Sequence, residues 1–149
     1  MILLVHMLFG AWIGQKISNL FLAVILAFLS HYFLDLLPHI EYPIENIEKK
    51  QWSKAAPDIL RVILDFLLGI LLITLFSNNH PIIYICALFA ILPDGFTILS
   101  YFFPNKILEI HNKFHHQKIH FLKDKKISKF WRITSQVTVV IVSIIMFKV

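Results

Sequence analysis

Ionisable side chains recur inside and beside segments that are otherwise apolar enough for the hydrocarbon of a bilayer. They are His6, His31, Asp35, His39, Glu41, Asp65, Asp94, His111, His115 and His116. Charged and imidazole groups are costly at membrane depth and are usually retained because they pair with one another, bind metal or take part in a reaction. The pattern therefore predicts one polar site within the membrane, and metal binding is its predicted use.

Six of these side chains form the predicted ligand set of a divalent transition metal: His6, His31, Asp35, Asp94, His111 and His116. Mixed imidazole and carboxylate donors favour zinc, manganese or iron over calcium, and zinc is the first expectation. His31 and Asp35 are four residues apart and share a helix face. Asp94 lies in a Pro-Asp-Gly sequence that predicts a break in its helix at membrane depth, and Gly95 predicts the close approach of another helix.

The composition is that of an integral membrane protein. Of 149 residues, 58% are hydrophobic and 15% are charged, and the mean hydropathy is +0.73, whereas soluble domains are about a quarter charged. Apolar segments cover residues 1–14, 20–37, 59–76, 81–103 and 133–147; a helical span needs roughly 20 residues. We predict a single all-α domain over residues 1–149, with four to five transmembrane helices and a short cytoplasmic interfacial helix.

Lysine and arginine placement predicts the orientation in the membrane. Segment 104–132 is rich in lysine and ends at Arg132, while loop 77–80 has neither residue. Because short basic loops stay in the cytoplasm, the N-terminus is expected there, in a prokaryotic inner or plasma membrane. Basic and aromatic residues beside a span favour contact with anionic lipid over nucleic acid. Membrane lipid is thus the expected partner. Whether the chain also forms a homo-oligomer is left open by the sequence.

Two segments resemble a known family. Segment 37–43, LPHIEYP, is similar to the LPDIDHP segment of the membrane-bound metal-dependent hydrolases (the DUF457, YdjM-like group). Segment 111–116, HNKFHH, resembles the HRGxTH segment of that group and aligns its two histidines with His111 and His116. The helix that contains His6 resembles the histidine-bearing N-terminal helix of the family. The resemblance covers most of residues 1–120 and implies a divergent, metal-dependent member.

The resulting hypothesis is a membrane-embedded metal-dependent hydrolase at the cytoplasmic leaflet, acting on a lipid or lipid-linked ester or phosphoester. His39 and Glu41, at the predicted mouth of the site, are the candidates for proton transfer. Lys113 and Lys118 are the candidates for binding an anionic headgroup. The hydrolase assignment comes mainly from the resemblance. The assignment to the cytoplasmic leaflet comes from the predicted depth of the ionisable residues in the membrane.

Two alternatives stay open. The spacing of His111, His115 and His116 resembles one histidine box of the di-iron lipid hydroxylases and desaturases, which need several such clusters. The other alternative is non-enzymatic: a membrane scaffold or a metal or proton carrier. A carrier needs polar residues that continue to the opposite leaflet, and few are found there.

Overall fold

The computed structural model describes residues 1–103, 105–120, 122 and 125–149, and every regular element in these ranges is helical. The helices are α1 (Leu3–Lys16), α2 (Leu20–Asp35), the single turn α3 (Glu45–Glu48), α4 (Ala56–Phe76), α5 (Pro81–Phe102), α6 (Lys106–Phe114) and α7 (Lys129–Met146). A 3-10 turn (Trp52–Lys54) precedes α4, and a π-helical turn (His115–Ile119) follows α6. Four residues of the predicted basic segment lie outside the described residues: Pro104, Phe121, Lys123 and Asp124. The all-α prediction is confirmed.

Among the described residues, three helices are long and apolar enough to cross a membrane, namely α4, α5 and α7. Helix α2 is apolar but has 16 residues, and α1 has 14. Large apolar side chains of α2 and α4 point outward: Phe21, Ile25, Leu29, Leu60, Leu64, Leu67 and Leu71. Because these faces lack water-binding groups, they suit contact with lipid chains. These features agree with the prediction of a membrane protein.

Helix α1 is the internal helix of the bundle and packs against α2, α4, α5 and α7. Most of its residues are buried, and only a narrow stripe that includes Phe9 and Trp12 is half-buried. Apolar side chains of α1 form a core with α4, α5 and the end of the chain: Leu4, Met7, Leu8, Ala11, Ile73, Ile83, Ala87 and Phe147. This position carries His6 into the middle of the protein.

Two glycines let α1 approach α5 closely. A Cβ atom at Gly10 would lie 2.5 Å from the Ala90 Cβ and 2.8 Å from the Cys86 carbonyl oxygen. At Gly14 the same atom would lie 2.9 Å from the Ile82 carbonyl oxygen. These distances are too short for a side chain, so both positions need glycine.

Around Pro93 and Gly95 the structure differs from the sequence predictions. Helix α5 continues through both residues, so the predicted break is wrong. No atom lies within 4 Å of a Cβ at Gly95, so the predicted close approach is also wrong. Pro93 offers no N–H to the preceding turn, and the nearby Ala90 carbonyl accepts a hydrogen bond from His31 Nδ1 at 2.8 Å. The helix is supported here by its contact with α2.

We expect Gly10→Ala to lower the free energy of unfolding by about 1–3 kcal/mol, because the added methyl group would overlap the backbone of α5. Gly95→Ala is the matched control, since its methyl group enters open space and alanine favours a helix over glycine by about 1 kcal/mol. Thermal unfolding of both variants in detergent, followed by circular dichroism, measures the difference. Equal midpoints would contradict the close packing of α1 on α5.

Candidate metal centre

The carboxylate of Asp35 is the point at which the polar side chains meet. Asp35 is the last residue of α2 and is fully buried. Five imidazoles direct Nε2 toward it: His6 at 3.3 Å, His31 at 3.1 Å, His39 at 3.8 Å, His115 at 3.1 Å and His120 at 3.2 Å. The amino nitrogen of Met1 lies 2.6 Å from Oδ1. Residues from four separate parts of the chain thus converge on one buried charge.

Four atoms of this cluster are linked by five contacts of nearly equal length. Asp35 Oδ2 is 3.1–3.2 Å from the Nε2 atoms of His31, His115 and His120. The Nε2 atom of His115 is 3.1 Å from that of His31 and 3.2 Å from that of His120. Ligands at about 2.0–2.1 Å from a tetrahedral zinc ion are about 3.3 Å from one another. In these five contacts the four atoms, called the donor set below, are spaced closely enough to hold a metal ion.

The other ring nitrogen of each imidazole in the donor set faces a hydrogen-bond acceptor. His31 Nδ1 donates to Ala90 O at 2.8 Å, His120 Nδ1 lies 2.8 Å from Glu41 Oε1, and His115 Nδ1 lies 3.3 Å from Thr97 Oγ1. Such contacts place the proton on Nδ1 and direct the Nε2 lone pair at a metal. With this tautomer, three Nε2 lone pairs face one carboxylate oxygen. The cluster could therefore hold a metal ion.

His120 shows that this point favours positive charge. Burial lowers the pKa of His120, but its hydrogen bonds to the carboxylates of Asp35 and Glu41 outweigh burial and raise the pKa to about 9. Without a metal ion, the imidazole therefore keeps a proton at neutral pH. A divalent ion at the same point would replace that proton, because a metal ligand must be deprotonated.

Asp94 lies at the edge of the donor set. Its Oδ1 is 3.6 Å from His31 Nε2, and its side chain is 24% exposed. Asp94 forms one group with His31, Asp35 and His115 in which all donor atoms lie within 4.8 Å of one another. Asp35, His39 and His120 form a second group of this kind. The two groups share Asp35.

The π-helical turn explains how two residues five positions apart reach the same site. The His120 backbone N–H donates to the His115 carbonyl at 3.1 Å, which closes the wider turn. At 3.6 residues per turn, such a pair is rotated by about 140° on an α-helix. The wider π turn reduces this rotation, and such turns are frequent at functional sites. His115 and His120 therefore both face Asp35.

The structure brings together His31, Asp35 and Asp94 of the predicted ligand set, with His6 against the same carboxylate, but it places His111 and His116 elsewhere. His111 Nε2 is 3.0 Å from the Tyr32 hydroxyl, and its ring stacks on that of His115. His116 stacks on His120 and lines the adjacent cavity. His115 and His120 occupy the positions that were expected for His111 and His116. The resemblance predicts His111 and His116, whereas a π turn that the sequence does not reveal directs His115 and His120 toward Asp35.

A cavity of about 370 Å³ reaches the donor set. Asp94, His115 and His120 lie on its wall, together with apolar side chains of α4 and α5 such as Val62 and Ile98. This volume is typical of a small-molecule site. Lys113 and Lys118, the predicted headgroup ligands, are exposed side chains on α6 and the π turn and are not part of the cavity wall.

His39 and Glu41, the predicted proton-transfer residues, lie beside the donor set. Nε2 of His39 is 3.0 Å from His120 Nδ1 and 3.5 Å from Glu41 Oε1. Helix α7 fixes the backbone that carries them through three polar side chains. Arg132 donates to the His39 carbonyl at 3.1 Å, Gln136 to the Ile40 carbonyl at 2.9 Å, and Ser135 to the Pro38 carbonyl.

Asp65, a further ionisable residue of the apolar segments, has a structural role. It accepts hydrogen bonds from the Leu4 backbone N–H at 2.8 Å and from the Tyr42 hydroxyl. A carboxylate at this point satisfies a free N–H at the start of α1 and favourably meets the helix dipole. Asp65 therefore positions the helix that carries His6 and does not join the donor set.

Comparisons of the chain with protein-family models, with curated proteins and with solved structures give no match. The interpretation of the site therefore rests on its own geometry. Its strongest element is the donor set, because that element is defined by several independent distances.

We expect His115→Ala/His120→Ala to lower zinc affinity by at least about 100-fold, because two members of the donor set are removed. Loss of a residue that only hydrogen-bonds to a metal ligand costs about 10–100-fold. His111→Ala/His116→Ala is the matched control, with the same residue types and spacing on the same segment, and should keep its zinc. Zinc per chain is measured by mass spectrometry after purification in detergent and dialysis. Zinc retained by the first variant and lost from the control would contradict the assignment.

Proposed function

We propose that the protein is a membrane-embedded, metal-dependent hydrolase that acts on a lipid or lipid-linked ester or phosphoester at the cytoplasmic leaflet. The observation that carries the proposal is the donor set of His31, Asp35, His115 and His120, with separations of 3.1–3.2 Å beside a cavity. Structural zinc sites are closed, whereas catalytic sites keep a position open to water or substrate. Because the donor set already offers four protein ligands, we propose that water or substrate joins from the cavity as a fifth ligand, an expansion that catalytic zinc sites allow.

Hydrolysis is favoured among metal-dependent reactions by the resemblance of segments 37–43 and 111–116 to metal-dependent hydrolases and by the carboxylates beside the donor set. A bound divalent ion supplies a water of lowered pKa and polarises a carbonyl or phosphoryl oxygen. Zinc is proposed first, and manganese and iron fit the same donor types.

Three side chains have the remaining roles in the proposed reaction. Asp94 is partly exposed on the cavity wall, 3.6 Å from His31 Nε2, and is the proposed acceptor of a water proton. Glu41 holds the His120 ring through Nδ1 at 2.8 Å and keeps its Nε2 directed at Asp35. His39, between Glu41 and His120, is the proposed path by which protons leave the site.

The substrate class follows from the cavity wall. Val62 belongs to α4 and Ile98 to α5, and both helices have membrane-spanning length. An amphiphile with an apolar part along these helices and an ester group at Asp94 would fit the cavity. Lys113 and Lys118 remain proposed contacts for an anionic headgroup outside it, because cationic side chains beside a membrane attract anionic lipid.

Turnover of lipid substrates tests the proposal. The metal-loaded protein in vesicles is expected to release phosphate or fatty acid from lipid, and Asp94→Asn should lower kcat by about 10²–10⁴-fold, since general-base catalysis contributes that much. Zinc content of this variant should be unchanged, as Asp94 is outside the donor set. His80→Ala, in an exposed loop, is the control.

Hydrolysis confined to water-soluble substrates would contradict the lipid assignment. Absence of hydrolysis with zinc, manganese and iron would contradict the hydrolase. Oxygen consumption by an iron-loaded protein would instead support the di-iron hydroxylase alternative.

A further inference from the structure

We propose that the Asp35 carboxylate bridges two metal ions, the second held on the Oδ1 side by His6 and His39. This inference rests on the proposed function and specifies its chemistry. The two carboxylate oxygens face different imidazoles: Oδ2 belongs to the donor set, whereas Oδ1 is 3.3 Å from His6 Nε2 and 3.8 Å from His39 Nε2. A bridging carboxylate has this arrangement, with one set of donors at each oxygen.

His6 carries the argument because it is fully buried and neither ring nitrogen makes a hydrogen bond of good geometry among the described residues. Its ring stacks on that of His31 with centroids 4.0 Å apart, and its Nε2 lies 3.3 Å from Asp35 Oδ1. A buried polar group whose hydrogen bonds are incomplete is destabilising, and lipid offers no water to compensate. An ion bound beside Oδ1 would give this nitrogen a well-placed partner.

With the second ion bound, His39 is a ligand and Glu41 alone is the proposed path for protons; the other ring nitrogen of His39 prepares it for this role. Its Nδ1 donates to the Leu37 carbonyl at 2.7 Å, so its Nε2 presents a lone pair. Glu41 Oε1, 3.5 Å from that Nε2, is a further oxygen donor beside the same position. The Met1 amino nitrogen, 2.6 Å from Oδ1, occupies the place where the second ion would bind, so this point already attracts positive charge.

Within the proposed substrate class, two ions bridged by one carboxylate favour phosphoesters, because such a pair of ions can contact both the attacking and the leaving oxygen. Two-metal sites with ions about 3.5–4 Å apart stabilise both the attacking and the leaving oxygen of an in-line displacement. In that reaction a water oxygen forms a bond to phosphorus and the bond from phosphorus to the leaving oxygen breaks. The water proton passes to Asp94, and the protonated Asp94 then gives it to the leaving oxygen.

Manganese binding tests the second site without relying on activity. The full chain in detergent is stripped with a chelator and titrated with Mn²⁺, and bound manganese is measured by mass spectrometry and electron paramagnetic resonance. We expect two ions per chain with the spectrum of an exchange-coupled pair. His6→Ala should bind one ion with an uncoupled six-line spectrum, while His80→Ala, altered in an exposed loop, should still bind two.

The outcomes separate this inference from the proposed function. One uncoupled ion in both the unaltered chain and His6→Ala would overturn the second site and leave a one-metal hydrolase. Two ions in His6→Ala would overturn the role of His6. No bound manganese and no bound zinc in the unaltered chain would overturn the proposed function itself. Should His6→Ala fail to fold, His39→Asn is expected to show the same loss of one ion and of the coupling.

Discussion

A carboxylate buried inside a membrane protein must be met by positive charge or by hydrogen-bond donors, and most of this structure follows from that requirement at Asp35. The glycines of α1 bring that helix against α5 and place His6 beside His31. The π turn brings His115 to the same oxygen, and α7 holds the segment that follows α2. The bundle is therefore built around one anionic group that several imidazoles approach and that a metal ion would neutralise.

The carboxylates of the chain illustrate how surroundings decide the role of one residue type. Asp35 is fully buried at the centre of the cluster. Asp94 is partly exposed to the cavity, and its Oδ1 lies 3.6 Å from His31 Nε2, which is longer than the contacts within the donor set. Glu41 orients the ring of His120 from the cavity side. Asp65 instead satisfies a backbone N–H at the start of α1. Exposure and the identity of the nearest donor therefore distinguish the proposed ligand and the proposed base from the carboxylate that caps a helix.

The sequence predicts those parts of the site that depend on regular helical geometry. Apolar runs predict the helices, and the four-residue spacing of His31 and Asp35 predicts their shared face. Asp94 follows from the cost of an acidic residue within an apolar segment. His120 was missed because a π turn changes which residues of the 111–120 segment face inward, and α-helical periodicity cannot anticipate it. The continuity of α5 through Pro93 is likewise not predicted by local rules.

X-ray absorption spectroscopy of the protein loaded with one equivalent of zinc tests the central claim most directly, because it counts the atoms bound to the ion. The structure predicts about three imidazole nitrogens and one carboxylate oxygen at about 2.0–2.1 Å, with imidazole scattering reduced in His115→Ala/His120→Ala. A first shell made only of oxygen atoms, or a spectrum unchanged in that variant, would contradict a metal centre built on Asp35.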